Sequence, residues 1–275
     1  MIPADFPSLH LTSADGARAS IALDGGHVTS WIPANERDNR LFVSTKSGYG
    51  PGKAIRGGIP VIFPQFGSFG PLAQHGFARL CRWDVVESTP DRSNRTLLRL
   101  IDMDQTRSAW PHAFAADLSI VVSGADLTVT MTIRNTDTSP FACAAALHPY
   151  FSMRDAFTTR VEGLCGSRYR DSLLDGKIVM ETAPELRITG PLDRIYYDAP
   201  DRLVIRDGGR SLIIEKTGFP EAVVWNPGAA GTRARSDFAE GEENRMLCVE
   251  AAAIQHPIVL APGESWTGTQ RMTTA

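Results

Sequence analysis

Leu127-Thr128-Val129-Thr130-Met131-Thr132-Ile133-Arg134 alternates apolar and polar residues without a break. Successive side chains of an extended chain point to opposite faces, so the pattern describes a strand with one face buried and one in water. Just upstream, residues 116–122 (Ala-Asp-Leu-Ser-Ile-Val-Val) read as a second strand, and Ser123-Gly124-Ala125-Asp126 suits a hairpin turn between the two. Working outward, short strands are expected near 18–23, 27–32, 79–87, 95–101, 141–147, 203–206, 211–216, 222–226, 247–254 and 264–271. Asp24-Gly25-Gly26, Asp207-Gly208-Gly209 and Ala261-Pro262-Gly263-Glu264 punctuate them as turns. No long amphipathic helix is visible. Many strands joined by turns, without helices between them, argue for an all-β antiparallel sandwich or barrel and against an α/β sheet.

The chain has 275 residues, 43% hydrophobic and 21% charged, enough to bury a large core without disulfides or metal. No composition shift or internal repeat marks a boundary, so a single domain over residues 1–275 is expected. A net charge of −3 offers no global attraction to nucleic acid or an anionic membrane, and any anionic ligand needs a local basic site. No apolar stretch is long enough to span a bilayer. Cys81, Cys143, Cys165 and Cys248 form no C-x-x-C pair; Cys143 and Cys248 sit in apolar runs and read as small buried hydrophobes. Residues 1–16 lack the basic and apolar regions of a secretory leader, and a reducing, cytoplasmic setting is expected. No obvious apolar interface segment stands out, which points to a monomer.

Two stretches are too long for simple turns. Residues 44–78 are rich in glycine and proline but also in Phe, Arg and His, and read as an ordered loop around a site. Residues 226–245 are the second such stretch. Arg56 and Arg79 bracket the first. A pair of arginines could grip a phosphate bidentately, and Gly57 and Gly58 would let backbone approach a ligand closely. For either arginine alone, an ordinary surface role is the simpler reading.

Glu250 is the oddest residue: it stands in an otherwise apolar run, residues 246–254. Burial there would raise its pKa toward the range useful for a base, unless the side chain simply faces water. His148 leaves an apolar strand just before Pro149, which holds the preceding residue extended at a strand end. Alone, it reads more readily as a hydrogen-bonded structural histidine, and so does His75 in the glycine-rich stretch. A metal set of His75, His148 and Glu250 lacks a supporting H-x-[DE] pair and is disfavoured. Nucleotide-binding glycine motifs and G-x-S-x-G are absent.

Taken together, RGGIPVIFPQFG (56–67), QHGFAR (74–79), LHPYF (147–151), DRIY (193–196), VVWNP (223–227) and CVEAAA (248–253) resemble, in order and wording, the glucose-6-phosphate 1-epimerases (hexose-6-phosphate mutarotases) of the aldose 1-epimerase superfamily. The resemblance spans nearly the whole chain. It implies a galactose mutarotase-like supersandwich and anomer interconversion of a hexose 6-phosphate, with no cofactor. Carried over by position, it implies His148 and Glu250 as the catalytic acid and base and His75 as a second active-site histidine. It also implies Arg56 and Arg79 as phosphate ligands, Asp193 as a ligand of sugar hydroxyls, and Gln74 as a pocket neighbour. One departure stands out: W-N-P-W is common in such proteins, whereas Gly228 follows Pro227 here, removing an indole from the expected pocket. An aldose mutarotase for unphosphorylated sugar and a non-catalytic carbohydrate-binding sandwich are the rival readings. A lyase or hydrolase finds no second carboxylate to partner Glu250.

Overall fold

Extended chain accounts for nearly all regular structure in the computed structural model, which describes residue 3 and residues 6–87 and 94–275. The expectation that residues 1–16 carry no leader therefore falls partly outside the described residues. A nine-stranded sheet, an eight-stranded sheet and a small three-stranded sheet are built from antiparallel pairs. The alternating stretch is the strand Asp126–Asn135, in which Leu127, Val129, Met131 and Ile133 are buried and the threonines between them are not. It pairs with Phe114–Ser123 through a two-residue turn, with Ser123 opposite Asp126. This hairpin lies inside the nine-stranded sheet, whose buried face supplies one half of the main core.

The eight-stranded sheet supplies the other half. Its order is Lys177–Met180, Arg168–Asp171, Leu192–Tyr196, Glu221–Asn226, Met246–Leu260, Phe141–Leu147 and Val61–Ile62, with Tyr150–Ser152 paired to the start of Met246–Leu260. Along Met246–Leu260, Leu247, Val249, Ala251 and Ala253 enter the main core. Met246, Cys248, Glu250 and Ala252 point to the opposite face, where two smaller apolar clusters cover the sheet. A strand buried on both faces loses its alternation, which is why 246–254 looks uniformly apolar.

Three expectations change. Residues 79–87 do not form one strand: Ala78–Leu80 is a 3-10 turn and the strand is Asp84–Glu87. The Trp83 indole donates to Ala78 O at 3.1 Å, a closure that requires the tight turn. The strand expected at 247–254 runs on to Leu260 through a register shift between Ala253 and Ile258. Buried Glu221 accepts the backbone N–H groups of Ile254 and His256 there, so donors freed by the irregularity stay paired. The Cβ positions of Gly57 and Gly58 face protein backbone, not an open site. At φ of 122° and 61°, an added Cβ would meet Phe42 O and Val28 O at 2.3 Å, so these glycines let the chain press against neighbouring backbone.

The two long stretches are ordered and tied together. The first contains the strand Val61–Ile62, and the second a short helix, Gly228–Arg233, and a 3-10 turn, Glu242–Arg245. Ser44 Oγ donates to Glu242 Oε2 at 2.6 Å, and Thr45 donates through N and Oγ1 to Oε1 at 2.8 and 2.9 Å. Arg56 Nε reaches Asp237 Oδ2 at 3.0 Å, which makes a second tie.

Candidate active site

Strand register lays out the floor of the site. Glu250 lies opposite Val223, Val223 opposite Ile195, and Ile195 opposite Arg170, in one row across four strands. A neighbouring row sets Asp193 opposite Trp225 and Trp225 opposite Cys248. His148 follows the end of Phe141–Leu147, beside Glu250, and its backbone N–H donates to Pro60 O at 3.1 Å. The seven residues singled out from sequence (Arg56, Gln74, His75, Arg79, His148, Asp193 and Glu250) all line one cavity of about 290 Å³.

His148 and Glu250 are 6% and 2% exposed. His148 Nδ1 stands 3.3 Å from Glu250 Oε1, close enough for charge coupling but outside hydrogen-bond geometry. The imidazole stacks on Tyr150, with ring centroids 4.9 Å apart and planes at 8°, and meets Trp225 edge-on. Its rotation is therefore limited on two sides. His75 sits 5.6 Å from it, centroid to centroid. Gly67 N donates to His75 Nδ1 at 3.2 Å, so a neutral His75 carries its proton on Nε2.

The arginines come from the loops. Arg56 donates to Tyr150 Oη at 2.8 Å, pairs with Asp237 and lies over Phe238. Arg79 donates to the Gln74 carbonyl at 2.8 Å, so Gln74 contributes backbone to the site. Three buried polar atoms in this pocket lack a protein partner: Arg79 Nε, His148 Nδ1 and Glu250 Oε2. Buried polar groups are ordinarily hydrogen-bonded, and three orphans in one cavity mark a place built for a polar ligand.

Electrostatics sharpen the picture. Burial, with a smaller push from Asp193, raises the Glu250 carboxyl well above the ordinary range. Burial lowers His148 well below its usual value, and His75, Arg79 and Arg56 add to the effect. His75 is lowered to about 3 by burial and the same two arginines. Burial also lowers Arg79, with Arg56 repelling it, and raises Asp193. The two shifts run in opposite directions: burial favours a protonated Glu250 carboxyl and a neutral His148 imidazole, and at this distance the two titrate as a coupled pair. A carboxyl and an imidazole side by side are what paired acid–base chemistry needs.

An antiparallel sandwich whose arginine-lined pocket sets a buried imidazole against a buried carboxyl belongs to a class built to move protons on a small polar ligand. Residues 7–273 match the model of the aldose 1-epimerase family, and the chain belongs to that family of isomerases. It is 38% identical to a Cenchrus ciliaris protein provisionally named glucose-6-phosphate 1-epimerase, over 97% of this chain and 84% of that one. An Escherichia coli K12 protein with the same provisional name is 32% identical, over 86% and 79%. A Salmonella typhimurium crystal structure provisionally described as a mutarotase superposes with a TM-score of 0.85 at 29% identity, covering 94% of this chain and 87% of that one.

Sequence reading left several pocket residues unassigned: Tyr150, Ser172, Arg170, Arg235, Trp225 and Phe69. Tyr150 and Trp225 fall inside quoted motifs and were findable there. Arg170 and Arg235 carry no local signal; only strand register and the fold of the second loop bring them in. Gly228 is buried, and a Cβ there would meet Pro191 at 3.0 Å. Among the described residues no group of three or more His, Cys, Asp or Glu is arranged to hold a metal ion, and no helix is long and apolar enough to cross a membrane.

Proposed function

We propose that this chain interconverts the α and β anomers of a hexose 6-phosphate, with glucose 6-phosphate as the expected substrate. The observation that carries the reading is the single pocket in which orphaned His148 Nδ1, Glu250 Oε2 and Arg79 Nε converge, with Arg56 alongside. The names of the relatives support the same substrate class. The reading also places the enzyme in the cytoplasm and has it act as a monomer.

Opening a pyranose hemiacetal removes a proton from the C1 hydroxyl and delivers one to the ring oxygen O5. In this mechanism Glu250 takes the proton from O1 and His148, protonated, gives one to O5. The C1–C2 bond of the open aldehyde rotates, and closure on the other face reverses both transfers. Arg56 and Arg79 hold the 6-phosphate, which C5 places on the O5 side and hence near His148. Their positive charges lower His148. A phosphate dianion bound between them offsets those charges and lets a proton pass from Glu250 to His148. His75 donates Nε2–H to a sugar oxygen, and Asp193 accepts from sugar hydroxyls.

Anomer exchange followed by NMR with glucose 6-phosphate and with glucose tests the substrate. The expected result is a kcat/KM at least about a hundredfold higher for the phosphorylated sugar, the worth of two charge-assisted contacts. Equal values would move the assignment to unphosphorylated aldoses.

A further inference from the structure

Arg56 and Arg79 account for one phosphate, which leaves two arginines of the cavity without a task. Arg170 stacks on Phe69 at 5.0 Å and reaches Ser172 Oγ at 3.5 Å; Arg235 lies over Trp225 at 5.7 Å and donates to Gly231 O at 2.8 Å. None of these partners is anionic, and among the described residues the one carboxyl near both, Asp193, makes no ion pair with either. Arg170 is nevertheless held in place. A Cβ on Gly176 would stand 2.4 Å from its guanidinium, so the group sits between the Phe69 ring and the Gly176 backbone.

Arg170 stands at the end of the pocket floor farthest from Glu250, and Arg235 lies over Trp225 on a strand between them. Arg56 and Arg79 act on His75 and His148, whereas Arg170 and Arg235 act on Asp193. Register gives the separation: Arg170, Ile195, Val223 and Glu250 follow one another across the sheet, three interstrand spacings or about 14 Å from end to end. Ile195 and Val223 between them make a smooth apolar floor. With O5 at His148 and the 6-phosphate beyond it, a substituent on the anomeric carbon projects along this floor toward Arg170.

We propose that Arg170 and Arg235 form a second anion subsite, on the anomeric side of the sugar, that takes the second phosphate of a hexose bisphosphate. This rests on the proposed function, which fixes the direction of the sugar. A ketohexose 1,6-bisphosphate keeps its anomeric hydroxyl free between two phosphates. The same pair of proton transfers then opens and closes its ring. An aldohexose 1,6-bisphosphate has its anomeric oxygen esterified. It binds without turnover and competes with the 6-phosphate.

Two unreactive probes test the subsite: glucose 1,6-bisphosphate and methyl α-glucopyranoside 6-phosphate, each as an inhibitor of glucose 6-phosphate anomer exchange. Both block C1, and they differ in the second phosphate. In the unaltered enzyme the bisphosphate is expected to inhibit at least about tenfold more tightly, the worth of a single charge-assisted contact. In Arg170→Ala and in Arg235→Ala that ratio should fall toward one, and in Arg170→Lys it should be partly kept. A ratio removes any general loss of affinity from the comparison. Equal inhibition by the two probes in the unaltered enzyme, or an advantage that survives in both alanine variants, would overturn the subsite. If the unaltered enzyme fails to accelerate glucose 6-phosphate exchange, it is the sugar-phosphate reading that falls.

Discussion

Glu250 and His148 are displaced in opposite directions by the same burial, which makes pH the natural probe at the residue scale. His148 lies below its ordinary value of 6.5 and Glu250 above its ordinary 4.5, so neither group titrates where its free counterpart does. At saturating glucose 6-phosphate the rate of anomer exchange should therefore be flat from about pH 7 to 8, above the second phosphate pKa of about 6; a histidine-like titration there would contradict paired proton transfer. Stability follows from the carboxyl. Unfolded, Glu250 ionises near 4.5, while in the folded chain it keeps its proton to higher pH. The stability it contributes is complete below the unfolded value and is lost as pH rises through the folded one. Glu250→Gln has nothing to ionise, so its melting temperature relative to the unaltered protein should climb from about pH 5 upward. Below the folded pKa the difference grows by about 1.4 kcal/mol per pH unit. A pH-independent difference would mean that the carboxyl is not held neutral.

At the scale of single elements, the strand Met246–Leu260 depends on Glu221, whose carboxylate is buried and accepts from Ile254 N, His256 N and His256 Nδ1. Glu221→Ala leaves those backbone donors unpaired next to the strand that carries Glu250, and should cost about 2–4 kcal/mol in chemical denaturation. A loss under about 0.5 kcal/mol would show that water replaces the carboxylate. The same strand shows what was legible in the sequence. Asp126–Asn135 was readable because one face meets water and its threonines mark the period. Met246–Leu260 was readable as apolar but not as two-faced, since its second face is covered by the pocket. Arg168–Asp171 and Leu192–Tyr196 escaped because they are short and carry no clean alternating run. They form the far half of the site floor, so Arg170 escaped with them. Asp193 was found only through the family resemblance, whereas Glu250 was conspicuous for its apolar surroundings.

Over the whole molecule, a chain of net charge −3 concentrates four arginines in one cavity, where only Arg56 is paired with a carboxylate. Capture of an anion there is a local effect working against a weakly repulsive background, and local charge effects are screened by salt. The KM for glucose 6-phosphate should rise several-fold between about 10 and 150 mM ionic strength, while binding of unphosphorylated glucose should barely respond; parallel responses would remove the arginines from phosphate capture. The sandwich serves this arrangement by giving one sheet two buried faces: one closes the core against the nine-stranded sheet, and the other carries Glu250, Asp193 and Arg170 at fixed register. All of this serves one step, in which Glu250 and His148 exchange protons with the sugar. Magnetisation-transfer NMR of glucose 6-phosphate anomers, with the unaltered protein and with folded Glu250→Gln at equal concentration, tests it most directly. The substitution should slow catalysed exchange by about 10²–10⁴-fold. Exchange within a factor of about two of the unaltered protein would contradict it.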